Sequence, residues 1–273
     1  MVERSHFALD RLAAGLKPFR LHWFARLRST SEQAARLRRA GRLFAPAVVL
    51  CGRQTAGRGR GGNSWWSGSH GGVLTATFAL AVHERLPPQQ LPLIAGLAFR
   101  AAVAELASQP HIQLKWPNDL VFEGRKLAGL LCERICNADL VGVGLNVNLN
   151  PSQAPAALRD RMTSLQQIGG GRFDMTDVLL TLAAHLRGMV RRRIQQPFSL
   201  FVREYRQYDA LAGKRVAVTG GSEPPIAGNC EGVDSVGRLL IRRGRVLHRI
   251  VAGNISMMET DRAKERSCRT QHH

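Results

Sequence analysis

The sequence predicts an α+β protein, in which a large domain of strands and helices is followed by a small C-terminal β-barrel. Segments with alternating apolar residues, typical of strands, are interspersed with segments that carry an apolar stripe at helical spacing. From residue 214 the pattern changes to short strands separated by turns, which indicates a small antiparallel barrel. We place the domains at residues 20–211 and 212–260, and expect residues 261–273 to form a disordered basic tail.

The first helix is predicted from its capping signal. Ser29 with Glu32, or Thr30 with Gln33, forms a capping box, in which the side chains and backbone at a helix start satisfy one another's hydrogen bonds. The helix is therefore expected over residues 28–41.

The other elements follow from periodicity. Strands are predicted at residues 47–51, 73–82, 126–135 and 140–150, helices at residues 87–107, 176–193 and 199–208, and a connection at residues 150–171. The last two strands are expected to form a hairpin with a tight turn at residues 137–139. Gly142 and Gly144 lie on one face of the second strand. Because glycine weakens a strand, this face suggests the close approach of another backbone or a ligand, or else a bulge or tight packing.

The composition excludes several classes of protein. The hydrophobic fraction of 44% and charged fraction of 22% are ordinary for a globular protein, and no window approaches the roughly 18 apolar residues of a membrane span. The N-terminus lacks the apolar core of a secretory signal, so we expect a cytoplasmic protein without a membrane partner. The five cysteines are widely spread without C-x-x-C spacing, which predicts reduced thiols.

The formal net charge of +19 could indicate nucleic acid, an acidic partner, or only the base composition of the genome. Only five of the 39 basic residues are lysine, and arginine is spread along the whole chain, which favours a codon bias. The rare lysines are informative where they cluster. Lys115 and Lys126 lie within one twelve-residue segment.

The stretch GRQTAGRGRGGNSWW, residues 52–66, holds five glycines, three arginines and two adjacent tryptophans. It matches G-x-G-x-x-G, but a dinucleotide site needs a helix to begin there, and a P-loop needs Gly-Lys-Ser or Gly-Lys-Thr. An RGG-type RNA segment would recur in a disordered region, whereas this stretch occurs once between two strands. What remains is a mobile loop whose backbone N–H groups, with Arg58 and Arg60, bind a phosphate or carboxylate. Trp65 or Trp66 would stack on a purine while the other packs in the core.

A second dense stretch, LKWPNDLVFEGRKLAGLLCE, covers residues 114–133. Trp116 and Pro117 predict a rigid extended step, and Lys126 follows a turn at residues 123–124. A lysine retained in a chain rich in arginine suggests a point charge or a reactive amine. A solvated turn residue is the competing interpretation of Lys126.

The motifs STSEQA, GRQTAGRGRGGNSWWS, KWPNDLVFEGRKLAGLLCE, VGVGLNVN and TSL, in this order, resemble those of biotin protein ligases over roughly residues 21–258. The resemblance implies a mixed sheet flanked by helices, the biotin/lipoate ligase catalytic fold, followed by a small β-barrel. It also implies a two-step reaction. Biotin and ATP give biotinyl-AMP and pyrophosphate, and a lysine of biotin carboxyl carrier protein then attacks the adenylate to form an amide. A glycine-arginine loop would neutralise the phosphates and shield the intermediate from water.

The resemblance implies three groups of site residues. Catalytic roles are implied for Lys126, Arg60 and Asp119. Biotin binding is implied for Ser29, Thr30, Ser31, Gln54, Arg58, Gly59, Arg60, Lys126 and Gly129. Nucleotide binding is implied for Arg58, Arg60, Trp65, Lys115, Asn118, Lys126 and Asn146. Lys126 would bridge the biotin carboxyl and the α-phosphate, Asp119 would help deprotonate the incoming amine, and Trp65 would stack on adenine. Magnesium is expected with ATP, and because phosphate and water often hold it, its protein ligands are unknown.

The sequence also departs from the family pattern. Gly61 and Asn63 stand where members commonly have arginine, and Ser31 where many have asparagine. Some members carry an N-terminal winged-helix repressor domain, but only about twenty residues precede the ligase region here, so no specific DNA binding is expected. A homodimer is compatible with the resemblance. The alternatives are a lipoate ligase or octanoyl transferase, a nucleic-acid-binding module, and a degenerate ligase that binds biotin without catalysis.

Overall fold

The protein is described by a computed structural model that covers residues 6–68, 71–220 and 224–258. The tail predicted at residues 261–273 lies outside the described residues. Within the described residues, no helix is both long and apolar enough to cross a membrane.

A mixed seven-stranded sheet forms the centre of the large domain. Its strands are β1 (Arg20–Leu27), β2 (Ala47–Gln54), β5 (Val73–Ala81), β6 (Gln113–Lys115), β7 (Asp119–Phe122), β8 (Arg125–Ile135) and β9 (Ala138–Asn146), and a separate short hairpin consists of β3 (Gly57–Arg58) and β4 (Ser64–Trp65). The spatial order is β1-β2-β5-β9-β8-β7-β6, in which β1 and β2 are parallel and all other neighbours antiparallel. The predicted mixed sheet is confirmed, although β1, β6 and β7 were not predicted.

Helices cover the two faces of this sheet unequally. They are α1 (Leu9–Gly15), α2 (Thr30–Arg39), α3 (Leu91–Leu106), α4 (Ala156–Arg159), α5 (Leu165–Gly169), α6 (Met175–Gln195) and α7 (Phe198–Gln207). The main core packs α3, α6 and α7 against one face, to which β2 contributes Val48 and Leu50. The alternate residues Ala47 and Val49 face the other way and pack with α2. Because α2 covers only part of that second face, the rest of it is open to form a site.

The capping signal at the start of α2 is confirmed. The side chain of Ser29 accepts a hydrogen bond from the backbone N–H of Glu32 at 3.4 Å, so Ser29 and not Thr30 is the cap. Thr30 is thereby free to turn its hydroxyl towards the sheet. The predicted connection at residues 150–171 is wrong in part, because it contains α4 and α5, which are short helices.

The hairpin of β8 and β9 forms as predicted, but its turn lies elsewhere. The turn consists of Cys136 and Asn137, which both have positive φ, 42° and 57°, while Ala138 already pairs with Ile135. A two-residue hairpin turn with two positive φ angles matches the twist of the strands that it joins. The turn predicted at residues 137–139 was therefore placed too far along the chain.

The C-terminal region is a five-stranded antiparallel sheet. Its strands are β10 (Arg215–Thr219), β11 (Ile226–Val233), β12 (Leu239–Arg243), β13 (Val246–Ile250) and β14 (Asn254–Met257), in the order β13-β12-β11-β10-β14. A closed barrel, as predicted, would require the edge strands β13 and β14 to pair. In the described residues β13 pairs only with β12 and β14 only with β10, so the sheet stays open. The domain boundaries at residues 20–211 and 212–260 stay predictions.

The small sheet contacts the large domain through the segment KWPND. The indole N–H of Trp116 donates a 3.0 Å hydrogen bond to the carbonyl of Gly237, in the turn before β12. Just before this segment, the backbone N–H of Leu114 donates a hydrogen bond to the carbonyl of Tyr208, in the chain that leads to the small sheet. The Trp116 contact thus joins the segment to the small sheet.

Candidate active site

A pocket with a volume of about 210 Å³ opens on the sheet face that α2 leaves uncovered. The residues assigned by the resemblance converge here, with one exception. The pocket is lined by Ser29, Thr30, Ser31, Gln54, Arg58, Gly59, Arg60, Trp65, Lys115, Asn118, Asp119, Lys126 and Gly129. Asn146 does not line it. These residues come from segments up to 100 positions apart, which the sheet order brings together.

The glycine-arginine loop is a compact hairpin. After β3 the chain makes a 3₁₀ turn over Arg60–Gly62 and returns as β4, with Gly57 paired to Trp65. Gly61 and Gly62 have φ of 59° and 81°, a backbone region that strongly favours glycine. If one of the two adjacent tryptophans stacks on a purine, it must line the pocket. Trp65 lines the pocket and Trp66 does not.

The glycines of β9 make room for side chains of the site. A Cβ on Gly144 would lie 2.4 Å from the Trp65 ring, and one on Gly142 would lie 2.5 Å from Ser31 Oγ. A Cβ on Gly129 of β8 would lie 3.1 Å from the same ring. Of the interpretations of this glycine face, tight packing is the one observed, because two pocket side chains pack against Gly142 and Gly144. Both glycines also line the pocket, so the close approach of a ligand stays a prediction. The glycine face thus determines where the pocket side chains lie.

The indole of Trp65 covers the floor beside Lys126, whose ammonium lies 5.6 Å from the ring centroid. Its Nε1 is buried and has no hydrogen-bond partner among the described residues. A buried donor without a partner is costly, so a ligand acceptor at this position would be favourable.

Lys126 and Asp119 form an ion pair at 2.7 Å between Nζ and Oδ1. The backbone of Lys126 is fixed on both sides: its N–H donates to the carbonyl of Arg161, and its carbonyl accepts from the N–H of Thr163. Thr163 belongs to the motif TSL, which explains why that motif accompanies the lysine. Lys126 lies in β8 and not in a turn, but 39% of its side chain is exposed, so its role in the pocket stays a prediction.

Two further cations face the pocket. Burial lowers the pKa of Lys115, while the Asp119 carboxylate opposite it acts in the other direction. Burial likewise lowers the pKa of the Arg60 guanidinium, again opposed by Asp119. Both cations lack full hydration, and a bound anion would compensate for this loss.

Lys115 and Asp119 are directly paired across β6 and β7, so the predicted extended step at Trp116 and Pro117 is in fact the turn of a hairpin.

Two asparagines support the site through backbone contacts. Asn118 lines the pocket, but its Nδ2 donates to the carbonyl of Leu130 at 2.6 Å and ties the hairpin to β8. Asn146 is buried and does not line the pocket. Its Nδ2 donates hydrogen bonds to the carbonyls of Thr163 and Lys126 at 2.9 and 3.4 Å. Asn146 Oδ1 has no partner among the described residues. The two nucleotide-binding roles stay predictions.

At the other end of the pocket, Gln54 Oε1 accepts two hydrogen bonds from Thr30. One comes from the backbone N–H at 2.6 Å and the other from the side-chain hydroxyl at 3.1 Å. Ser31 lies beside them. The pocket therefore has one end of neutral hydrogen-bonding groups and another end of cations.

Sequence reasoning missed some residues of the site. Gly253, Asn254 and Ile255 line the pocket from the small sheet, and Thr77 supports Thr30 and Ser31 from behind. No local signal marks the first group, because its contact exists only between domains. Thr77 lies in a predicted strand, where a buried threonine is typical.

The carboxylate content of the site does not fit a metal held by the protein. Asp119 is engaged with Lys126, and Glu133 faces Arg58 at 3.8 Å. In the described residues no group of three His, Cys, Asp or Glu side chains could hold an ion. Magnesium therefore stays a prediction, as part of the Mg·ATP substrate.

Residues 23–150 match the model of the biotin/lipoate A/B protein ligase family. The fold is thus that of the biotin/lipoate ligase class. A biotin–[acetyl-CoA-carboxylase] ligase of Paracoccus denitrificans is 32% identical over 80% of this chain and 92% of that protein. The biotin protein ligase of Aquifex aeolicus, solved in complex with biotin and ATP, superposes with a TM-score of 0.77 at 29% identity, over 88% of this chain and 99% of that one.

The chain belongs to the biotin protein ligase family. The bifunctional ligase/repressor BirA of Bacillus subtilis is 29% identical, and the match covers 77% of this chain but 66% of that relative's length.

Proposed function

We propose that the protein is an ATP-dependent biotin protein ligase that forms biotinyl-AMP and transfers biotin to a lysine of a biotin carboxyl carrier protein. One observation carries this proposal: a single pocket is lined by hydrogen-bonding side chains around Thr30 and Gln54, by four cationic side chains, and by an indole that packs between glycines. The neutral end suits a polar, uncharged head group. The cationic end suits a carboxylate next to phosphates.

The first step needs electrostatic stabilisation. An oxygen of the biotin carboxylate attacks the α-phosphorus of ATP, a P–O bond forms, and the bond to the leaving pyrophosphate breaks. Lys126, Lys115 and Arg60 line the pocket and would stabilise the charge that develops on the phosphate. Cations positioned in advance at the reacting centre lower the barrier, because they need not reorganise during the reaction. Magnesium bound to ATP would neutralise further phosphate charge.

The second step needs a base. The amine of the carrier lysine attacks the carbonyl carbon of the adenylate, the bond to the phosphate oxygen breaks, and AMP leaves. The amine must lose a proton to act as a nucleophile. Asp119 is the carboxylate that lines the pocket among the described residues, and it becomes available as an acceptor when Lys126 turns to the phosphate.

The partner is a carrier domain that presents a lysine to the open pocket. The net charge of +19 would favour an acidic carrier through faster association, although it does not specify one. The homodimer, the cytoplasmic location and the lack of specific DNA binding stay predictions.

The decisive experiment offers biotin, lipoate and octanoate separately to the purified protein with Mg·ATP and identifies the acyl-AMP by mass spectrometry. We expect biotinyl-AMP alone. Lipoyl-AMP or octanoyl-AMP would move the protein to the other branch of the family, and no adenylate would refute the proposal. Transfer is then tested by adding a carrier domain and measuring the mass increase of its lysine.

A further inference from the structure

Four polar side chains at the neutral end of the pocket form one continuous row. Gln54 Oε1 contacts the Thr30 hydroxyl at 3.1 Å, which contacts the Thr77 hydroxyl at 3.0 Å, which contacts the Ser31 hydroxyl at 3.2 Å. Thr77 is fully buried and does not line the pocket, whereas the other three do. Thr77 therefore connects the two hydroxyls that a ligand can reach.

The direction of the hydrogen bonds in this row is determined at one end. The backbone N–H of Thr30 can only donate, and it contacts the Gln54 amide at 2.6 Å, so the oxygen of that amide must face it. The Thr30 hydroxyl then donates its single proton to the same oxygen. Since its proton is used, it can only accept from Thr77.

The same reasoning extends along the row. Thr77 donates its proton to Thr30 and must therefore accept from Ser31, which donates to it. All three hydroxyl protons are directed into the protein. Ser31 Oγ and Thr30 Oγ1 consequently present lone pairs to the pocket, while Gln54 keeps its Nε2 as a donor.

The neighbouring sheet is shaped to keep Ser31 in this row. Thr77 on β5 pairs with Gly142 on β9, and Ser31 lies above this pair. A Cβ at residue 142 would lie 2.5 Å from Ser31 Oγ, a distance at which one of the two must move. A side chain at residue 142 would therefore compete with the Ser31 hydroxyl for the space beside Thr77.

We infer that Thr77 is a positioning residue that sets the hydrogen-bond polarity of the pocket and thereby selects a head group with N–H donors. This inference rests on the proposed function. A cyclic urea such as that of biotin brings two N–H donors for the acceptors and a carbonyl for a donor. The dithiolane ring of lipoate and the alkyl chain of octanoate bring none of these. A site whose acceptors are left unpaired discriminates strongly against such ligands.

The test compares Thr77→Val with Thr77→Ser. Valine has nearly the shape of threonine but breaks the row, whereas serine keeps the hydroxyl. In the adenylation assay we expect Thr77→Val to raise the KM for biotin about tenfold or more, with the KM for ATP and the kcat at saturating biotin within about twofold of wild type. Thr77→Ser should restore the KM for biotin to within about threefold. The ratio of kcat/KM for biotin to that for octanoate should fall in Thr77→Val, which a general loss of stability would not cause.

An unchanged KM for biotin in Thr77→Val, or an equal loss in Thr77→Ser, overturns the inference. If Thr77→Val does not fold, as judged by its thermal transition, Gly142→Ala provides the second variant. Its methyl displaces Ser31 and should raise the KM for biotin in the same way, and a normal KM there would also overturn the inference. A wild-type protein that makes no biotinyl-AMP refutes the proposed function itself, which separates the two failures.

Discussion

Lys126 Nζ lies 2.7 Å from Asp119 Oδ1, on neighbouring strands at the cationic end of the pocket. Without a ligand, the lysine is therefore held by the carboxylate that we propose as the base of the transfer step. In the proposed mechanism both reaction steps depend on this pair, because a phosphate that attracts the lysine would free the aspartate.

Lys126→Ala should reduce biotinyl-AMP formation by about 10²–10³-fold, since removal of one charge-stabilising group commonly costs this much in kcat. The measurement is adenylate formation under saturating biotin and ATP. Arg125→Ala is the matched control, because it removes a neighbouring cation that does not line the pocket. Equal activity of the two variants would contradict the role of Lys126.

Asp119→Asn should separate the two steps. The amide keeps the shape but cannot accept the proton of the amine, so transfer to the carrier should slow by about 10²-fold or more. Adenylate formation should fall much less. The experiment mixes preformed enzyme-bound biotinyl-AMP with the carrier in a single turnover, and an undiminished transfer rate would exclude Asp119 as the base.

Arg60→Ala should let biotinyl-AMP escape. The guanidinium is partly buried in the turn that borders the pocket, and its loss removes a charge-assisted contact to the intermediate. We expect about a tenfold faster release, detected as free biotinyl-AMP by mass spectrometry of the filtrate. Arg53→Ala, a change on β2 outside the pocket lining, is the control and should retain the intermediate as wild type does.

Trp116→Phe should weaken the connection between the domains. The variant loses the 3.0 Å hydrogen bond to Gly237 and leaves a buried carbonyl without this donor. The expected loss is about 1–3 kcal/mol in the free energy of unfolding, measured by urea denaturation. A midpoint within error of wild type would show that the contact contributes nothing.

Asp209→Asn should change how stability depends on pH. Burial raises the pKa of Asp209, partly offset by the hydrogen bond that Oδ1 accepts from Leu211 N–H. A carboxyl with a raised folded-state pKa stabilises the protein fully below its unfolded pKa of about 3.9, and this contribution is lost as the pH rises through the folded-state pKa. The amide of Asp209→Asn does not ionise, so the variant does not lose this contribution to stability as the pH rises.

The variant should therefore gain stability relative to wild type as the pH rises from about 4 to 7. The measurement is the urea midpoint across this range. Asp10→Asn, at an exposed position, is the control for the removal of one negative charge. Parallel pH profiles of Asp209→Asn and wild type would contradict the prediction.

Much of the site was predictable from the sequence, because its motifs are local. The capping box at Ser29 and Glu32 and the turn at residues 123–124 each depend on a few consecutive residues with particular backbone or hydrogen-bonding properties. Such local signals can be recognised in the sequence without knowledge of the fold.

The edge strand β1 shows where sequence reasoning failed. Its residues are mostly half-buried or exposed on both sides, so no strict alternation marks it. The β6 and β7 strands are three and four residues long, too short for a periodic signal. Their hairpin nevertheless decides that Lys115 and Asp119 lie opposite each other.

The sequence by itself determined the family, the longer helices and strands, and the set of charged and hydroxyl side chains available for chemistry. Tertiary structure alone decided which of them meet. The Thr77 hydroxyl reaches Thr30 across 47 positions, and Asn254 of the small sheet reaches the pocket of the large domain. The physical reason is that register and domain packing are collective: they depend on the burial of whole strands, and no single motif encodes them.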